Sequence, residues 1–390
     1  MSTTYFDWAA TTPMSSEAIK TYNDTVKHYS ANPSAIYESG KKVATFLGSL
    51  REQVAEALKI TSQQLIFTSG ATESNALVLS SLLWKQRKGN VIFSSLEHPS
   101  VSQWAQLLTH SGFEVRTIAA KDGYVNPQRL KAMLDDQTQL VSILLVSNLL
   151  GTVQPLGQIA QVIRAFEKQS GKKIILHTDA VQALGKLPFD LNELDVDCAS
   201  FSAHKFQGPR GVGLLYHKGT FIKPLSSSGG QEQGLRGGTE NSGGIAASAT
   251  ALLSSLTDLE KNIQQVTLLR QRLEKHLAQE PSLTLFSPSI EAGKPIVPHI
   301  LSLGVNGIPS EVSTRVLNDA GFAVSSGSAC SAHQAAQRQK PLISTGLKAQ
   351  QASTAIRISF GHLTTEAQID ALAHTLLHHT ATIQASLGRR

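Results

Sequence analysis

The chain has 390 residues, 41% hydrophobic and 16% charged, which is ample for a full core and too long for one small domain. The formal net charge is +6, but no Lys/Arg run marks a nucleic-acid arm, no apolar run approaches the roughly 20 residues of a membrane span, and the opening Met-Ser-Thr-Thr-Tyr-Phe-Asp lacks the basic-then-apolar order of a signal peptide. A cytoplasmic protein is therefore expected, without membrane insertion or direct nucleic-acid binding. The two cysteines, Cys198 and Cys330, exclude a disulfide framework and a four-cysteine zinc site, and no metal site is expected.

From about residue 60 to 220, short apolar runs alternate with helical patterns. Leu65–Thr68, Val91–Ser94, Val141–Ser147, Ile174–Thr178 and Cys198–Ser202 read as strands, nearly continuous in apolar residues as strands buried on both faces should be. Asn75–Trp84 and Ile159–Gln169 read as intervening helices. The alternation predicts βαβ units and a mostly parallel sheet. A long amphipathic helix follows, with Leu259, Ile263, Val266, Leu269, Leu273 and Leu277 at helical spacing and Pro281 just beyond. The switch to a second domain is placed there, giving a large domain of residues 13–257 and a small one of residues 1–12 and 258–390. The last helix is expected to start near Thr365, whose spacing to Gln368 suits a capping box, with Ile369, Leu372, Leu376 and Leu377 as its buried stripe.

Ligands of open α/β sheets sit beyond the carboxyl ends of the strands, and the residues found there form a pattern. After Leu65–Thr68 comes Ser69-Gly70-Ala71-Thr72-Glu73-Ser74-Asn75, a small-residue turn opening a helix. Such a turn presents backbone N–H groups and the positive end of the helix dipole, a cup for phosphate with a hydroxyl from Thr72; read alone, it is an ordinary helix start. After Val91–Ser94 comes Glu97-His98-Pro99, where the His98 ring is able to stack on an aromatic ligand and to move a proton. Asn148 ends the next strand. Asp179 and Gln182 follow the fourth, and a carboxylate at a buried strand end needs a partner such as a protonated pyridine nitrogen, unless it merely caps a helix. After the fifth comes Ser202-Ala203-His204-Lys205, followed by Gly208, Gly211 and Gly213. A lysine on such a turn is placed to approach a cofactor aldehyde, with partial burial and a nearby cation lowering its pKa. Ser202 and His204 are placed for phosphate. Phosphate cup, ring stacker, pyridine partner, oxygen donor and amine together are what a pyridoxal 5'-phosphate (PLP) site requires.

In these motifs the chain resembles the class V PLP-dependent enzymes of fold type I, and more narrowly the cysteine desulfurases of the NifS/IscS type, group I. The likeness runs from Phe6-Asp7-Trp8-Ala9-Ala10-Thr11-Thr12 to Arg357-Ile358-Ser359. It implies an α/β fold, with a mostly parallel seven-stranded sheet in the large domain and a smaller α+β C-terminal domain. It implies that Lys205 binds PLP covalently, that Asp179 meets the pyridine nitrogen, that Gln182 and Asn148 lie near the ring oxygen, and that His98 stacks and moves protons. Ala71, Thr72, Ser202 and His204 would hold the phosphate. Thr239, in Arg236-Gly237-Gly238-Thr239-Glu240-Asn241, would reach the phosphate of a neighbouring subunit, which implies a homodimer. Asn32, in Asn32-Pro33-Ser34, is carried over as a substrate contact.

Class V also holds aminotransferases, and Ser325-Ser326-Gly327-Ser328-Ala329-Cys330 separates the two activities. A small, polar, Gly-containing segment reads as a mobile loop, and a thiol on it is exposed. Cys198, inside an apolar run, reads as core. A free thiol, with a pKa near 8.5, supplies some thiolate at neutral pH, able to attack a substrate sulfur. An aminotransferase has no use for it. The resemblance thus implies conversion of L-cysteine to L-alanine, with sulfur passing through a persulfide on Cys330 to an acceptor protein of iron–sulfur cluster assembly or tRNA thiolation. Arg357, in a strand-like run, suits a bidentate clamp on the substrate carboxylate, or else an internal salt bridge. A class V aminotransferase, a selenocysteine lyase and a catalytically silent binding partner remain the alternatives. Ser147-Asn148-Leu149-Leu150-Gly151, Tyr37 and the His333–Lys340 segment depart from the usual group I pattern.

Overall fold

The computed structural model describes residues 3–219, 221–225, 229–326 and 339–387, with side chains to residue 382. Cys330 and the rest of residues 327–338 lie outside the described residues, whereas Ser325 and Ser326, expected to open its loop, form a short strand paired with Arg357 and Ile356. The strands are β1 (Thr4–Tyr5), β2 (Leu65–Thr68), β3 (Asn90–Ser94), β4 (Glu114–Ile118), β5 (Thr138–Ser142), β6 (Ile175–Asp179), β7 (Cys198–Ser202), β8 (Gly213–His217), β9 (Leu283–Leu285), β10 (Ile300–Val305), β11 (Phe322–Ala323), β12 (Ser325–Ser326) and β13 (Ala355–Ser359).

The seven-stranded sheet has the order β2-β8-β7-β6-β5-β3-β4. β8 pairs antiparallel with both neighbours and the other pairings are parallel, so β8 alone runs against the rest. The reason lies in the connection. After β7 the chain turns back through residues 203–212 without a crossover helix, and a short return of that kind joins antiparallel strands. Lys205 sits on this return. Successive residues of the central strands enter opposite cores: Phe67, Ile92, Val141 and Leu214 on one face, Ile66, Val91, Leu140 and Leu215 on the other. Burial on both faces explains why these strands read as unbroken apolar runs.

The third strand differs from its expected span of Val141–Ser147. It ends at Ser142, and residues 143–146 leave the ladder while still donating from Ile143 N to the His177 carbonyl and from Leu145 N to the Asp179 carbonyl. Apolar continuity marked burial there, not strand. Likewise the helix expected over Asn75–Trp84 opens at Ala71 and closes at Ser80, with a tighter turn over Ser81–Trp84.

A four-stranded antiparallel sheet, β12-β13-β10-β9, builds a second core with Leu269, Leu273, Leu301, Ile356, Ile358, Phe360 and Leu372. Phe6 belongs to this core, because β1 pairs with β11 and Asp7 bridges to Ser359. The amphipathic helix spans Leu259–Leu277 and buries Val266, Leu269, Leu273 and Leu277. Thr365 and Gln368 make the reciprocal bonds of a capping box, Thr365 N to Gln368 Oε1 at 2.9 Å and Gln368 N to Thr365 Oγ1 at 3.3 Å. We propose the two cores as two domains divided at residues 12/13 and 257/258. Among the described residues no helix is long and apolar enough to cross a membrane.

Candidate active site

The carboxyl ends of the parallel strands open onto a cleft of about 680 Å³, a volume typical of small-molecule sites. Gly70, Ala71 and Thr72 line one end, together with Ser202, His204, Arg210 and Gly211. The helix Ala71–Ser80 starts there, so its unpaired N–H groups and positive dipole end face the cleft wall. Gly213 draws the cup and the lysine turn together. A Cβ on it would lie 2.5 Å from the Gly70 backbone, so only glycine lets β8 start that close. The His204 Nδ1 pairs with Thr11 Oγ1 at 3.1 Å. Burial, and then the cations Lys205, Lys186 and Arg210, push its pKa down to about 4, so the ring is neutral at ordinary pH.

Asp179 closes β6 and is 7% exposed. Its Oδ2 accepts from Asn75 Nδ2 at 3.0 Å and its Oδ1 from Val181 N at 3.1 Å. Two donors thus fix the direction of a buried carboxylate that lines the cleft. Asn75 escaped sequence analysis. Its signal was available, one helical turn beyond Ala71 on the helix that carries the cup. Gln182 is buried and donates from Nε2 to the Ala9 carbonyl at 2.9 Å.

Lys205 donates to the carbonyls of Ala9 at 2.6 Å and Ala10 at 2.7 Å. Its pKa falls from 10.5 to about 8, mainly by burial and then by the Arg357 cation, with Asp179 and Asp7 opposing. The amine is thus partly neutral near physiological pH, as a nucleophilic lysine requires.

His98 lies in the cleft wall and caps the short helix Pro99–Ser102, its Nδ1 accepting from Ser100 N at 3.2 Å. Nδ1 is then the unprotonated nitrogen, and the neutral ring carries its proton on Nε2. Burial, followed by the opposed effects of Asp179, Lys205 and Arg357, lowers the His98 pKa and favours that neutral form. Arg357, on β13, reaches across from the second core. Its Nη2 pairs with Asp7 Oδ1 at 2.7 Å, its Nη1 donates to the Asn148 carbonyl at 2.9 Å, and its buried Nε has no hydrogen-bond partner among the described residues. Asn148 also lines the cleft.

The structure therefore gathers Ala71, Thr72, His98, Asn148, Asp179, Gln182, Ser202, His204, Lys205 and Arg357 around one cleft. Asn32 and Thr239 are exposed and do not line it. The Asn32 Oδ1 accepts from Ser34 N at 2.9 Å. Asp7, Ala9, Ala10 and Arg210 join the site without having been singled out; carbonyls leave no mark on side-chain chemistry. Cys198 is fully buried on β7, and burial pushes its thiol pKa well up, which makes it inert core.

The family described as Aminotransferase class-V matches residues 4–372. The chain belongs to the class V aminotransferase family. A NifS/IcsS protein homolog of Lactobacillus delbrueckii subsp. bulgaricus is 38% identical over 371 residues, covering 94% of each chain. The cysteine desulfurase IscS of Dictyoglomus turgidum is 33% identical over 371 residues, covering 94% of this chain and 91% of its own. Among solved structures, a NifS-like protein superposes with a TM-score of 0.89 at 31% identity, over 97% of this chain and 100% of its own. SspA in complex with cysteine does so with a TM-score of 0.77 at 29% identity, over 93% and 100%. Within class V, the likeness is to the NifS/IscS cysteine desulfurases.

Class V enzymes of this branch depend on PLP, and the cleft residues fit that group. The helix start with Ser202 and neutral His204 suits its phosphate, the doubly held Asp179 carboxylate suits a pyridinium, and the Lys205 amine suits its aldehyde.

Proposed function

We propose that this chain is a PLP-dependent cysteine desulfurase, with Lys205 as the covalent attachment point and Cys330 as the sulfur acceptor. The observation that carries the reading is the meeting of Lys205, Asp179, Gln182, His98 and Arg357 in one cleft beside a phosphate cup, in a chain similar to IscS proteins over most of its length. Bound PLP supplies an aldehyde for amines and a ring that takes up electron density. Ala71, Thr72, Ser202 and His204 hold its phosphate. Asp179 would keep the ring nitrogen protonated, and Gln182 and Asn148 would lie near the ring oxygen.

Arg357 binds the cysteine carboxylate, with Asn32 as a further substrate contact. Lys205 Nζ, released from the Ala9 and Ala10 carbonyls, accepts and returns protons at the substrate carbon, and His98 holds a proton at Nε2 for transfer. The Cys330 thiolate attacks the substrate sulfur. The new S–S bond forms as the substrate C–S bond breaks, the three-carbon remainder gains protons and leaves as L-alanine, and Cys330 keeps the sulfur as a persulfide. Thr239, outside its own cleft, is read as serving the site of a second copy in a homodimer. Delivery of the persulfide to an iron–sulfur scaffold or a tRNA-thiolation protein, in the cytoplasm, belongs to the same reading.

The test is turnover of L-cysteine by the purified protein with a thiol reductant, reading sulfide, alanine and the mass of the Cys330 peptide. Wild type should release both products and add one sulfur to that peptide. Cys330→Ser should keep the visible cofactor band and release neither. A Cys330→Ser protein that releases sulfide at the wild-type rate would refute the relay, and transamination without sulfide would place the chain with the aminotransferases.

A further inference from the structure

Lys186 is a half-buried lysine that the reading above does not use. It lies on the turn after β6, four residues beyond Gln182, and residues at that spacing share one face of a helical turn. Its Nζ donates to Gln182 Oε1 at 3.3 Å, and among the described residues this is its recorded hydrogen bond. The other end of the same amide, Nε2, donates to the Ala9 carbonyl at 2.9 Å, the carbonyl that also receives Lys205 Nζ at 2.6 Å. A continuous chain of contacts therefore runs from Lys186 through the Gln182 amide and Ala9 to Lys205. Lys186 and Lys205 also line a small cavity of about 50 Å³ together with His299 and Phe360.

An amine in such a place is costly unless it is bonded. Burial, with Lys205 and Arg357 nearby, drives the Lys186 pKa well below its usual value, which lightens the cost but does not explain the residue. The amide does. A glutamine side chain presents donors at one end and an acceptor at the other, and rotation by half a turn exchanges them. Gln182 lines the cleft, and a donor there welcomes an electron-rich ring oxygen where an acceptor would repel it. The Lys186 donor and the Ala9 acceptor turn the amide in the same sense.

We propose that Lys186 is a positioning residue of the cofactor site, holding the Gln182 amide so that its NH2 end rather than its oxygen is presented to the PLP ring oxygen. The inference rests on the reading that PLP occupies the cleft with Gln182 beside that oxygen. Lys186 acts through Gln182, and its removal should have no effect once Gln182 is gone.

The experiment is a double-mutant cycle on PLP affinity. Full-length protein freed of cofactor is titrated with PLP, following tryptophan fluorescence and the visible band, for wild type, Lys186→Met, Lys186→Arg, Gln182→Ala and the Lys186→Met/Gln182→Ala pair. Lys186→Met is expected to weaken PLP about tenfold, the scale of losing one hydrogen bond, and to shift the visible band. Lys186→Arg keeps a donor and should bind within about threefold of wild type. The double variant should bind no more weakly than Gln182→Ala. Lys186→Ala replaces Lys186→Met if the latter does not fold. Additive losses in the double variant, a Lys186→Met protein with wild-type affinity, or a Lys186→Arg protein as weak as Lys186→Met would each overturn the proposal while leaving Gln182 in place. A Gln182→Ala protein with unchanged affinity and spectrum would instead remove Gln182 from the ring oxygen, and Lys186 with it.

Discussion

Arg357 and Asp7, 350 positions apart in the chain, form an ion pair at 2.7 Å beside the cleft. Asp7 belongs to the segment that threads Phe6 into the second core, Arg357 stands on β13, and the same guanidinium holds the Asn148 carbonyl beyond β5. One planar cation thus ties two remote segments to its own strand and still lines the cleft. The salt bridge and the clamp, opposed as alternatives by the sequence, are compatible, because a guanidinium has five N–H donors. Arg357→Lys keeps the charge but loses the fork. It should raise the KM for L-cysteine by at least about tenfold, with a smaller change in kcat. Steady-state kinetics decide this, and an unchanged KM would remove Arg357 from substrate binding.

Lys205 has a folded-state pKa of about 8 against 10.5 in the open chain. The folded state therefore binds its proton less firmly than the unfolded state does. The cost is full below about 8 and fades as pH rises to 10.5, so this group makes the cofactor-free protein more stable with rising pH across that window. Lys205→Met should flatten that part of the pH–stability curve. In wild type without PLP, modification of Lys205 by an amine reagent, followed by peptide mass, should have its midpoint near pH 8. A midpoint near 10.5 would mean that the site does not activate the amine.

Much of this was legible in the sequence, for identifiable reasons. β2 and β7 carry their expected bounds because burial on both faces leaves an unbroken apolar run. The residues read as cup, stacker, carboxylate and lysine were singled out by looking past strand ends, where α/β sheets put ligands, and they line one cleft. What stayed hidden depends on contacts between distant segments. Ala9 and Ala10 act through main-chain carbonyls. Asn75 matters because a helix turns it toward Asp179. The early end of the third strand was invisible because residues 143–146 remain buried after leaving the ladder.

Asp179 and Asn75 lead to a separate expectation. Asn75 Nδ2 fixes one carboxylate oxygen, while the buried Asn75 Oδ1 has no partner among the described residues. Asp179→Asn preserves size and removes the charge that would hold the ring nitrogen protonated. PLP should still attach to Lys205 and be trapped there by borohydride, while kcat falls about a hundredfold, the scale of losing one preorganised electrostatic partner. Absorbance and turnover measured together decide it. Full activity would show that Asp179 is only the cap of the following turn.

Glu97, next to His98, gives a prediction with a definite sign. It is 3% exposed, and its Oε1 accepts from Ser94 Oγ and Leu144 N, both at 2.8 Å. It thereby pins the turn that carries His98 to the chain leaving β5. Burial above all, with Asp179 adding to it, raises its pKa from 4.5 to about 8, so the carboxyl is largely protonated at neutral pH. The folded state holds this proton more firmly than the unfolded chain, and the stability it confers is complete below 4.5 and is lost as pH rises to about 8. Glu97→Gln keeps an Oε1 acceptor and cannot ionise. Its stability relative to wild type should therefore climb steadily between pH 4.5 and about 8, whatever constant offset the amide NH2 imposes. Melting temperatures of the two proteins across that range test it, and parallel curves would mean that Glu97 is already ionised in the folded protein. Glu97→Ala removes the acceptor for Leu144 N as well, so it should destabilise at every pH and disturb the His98 turn.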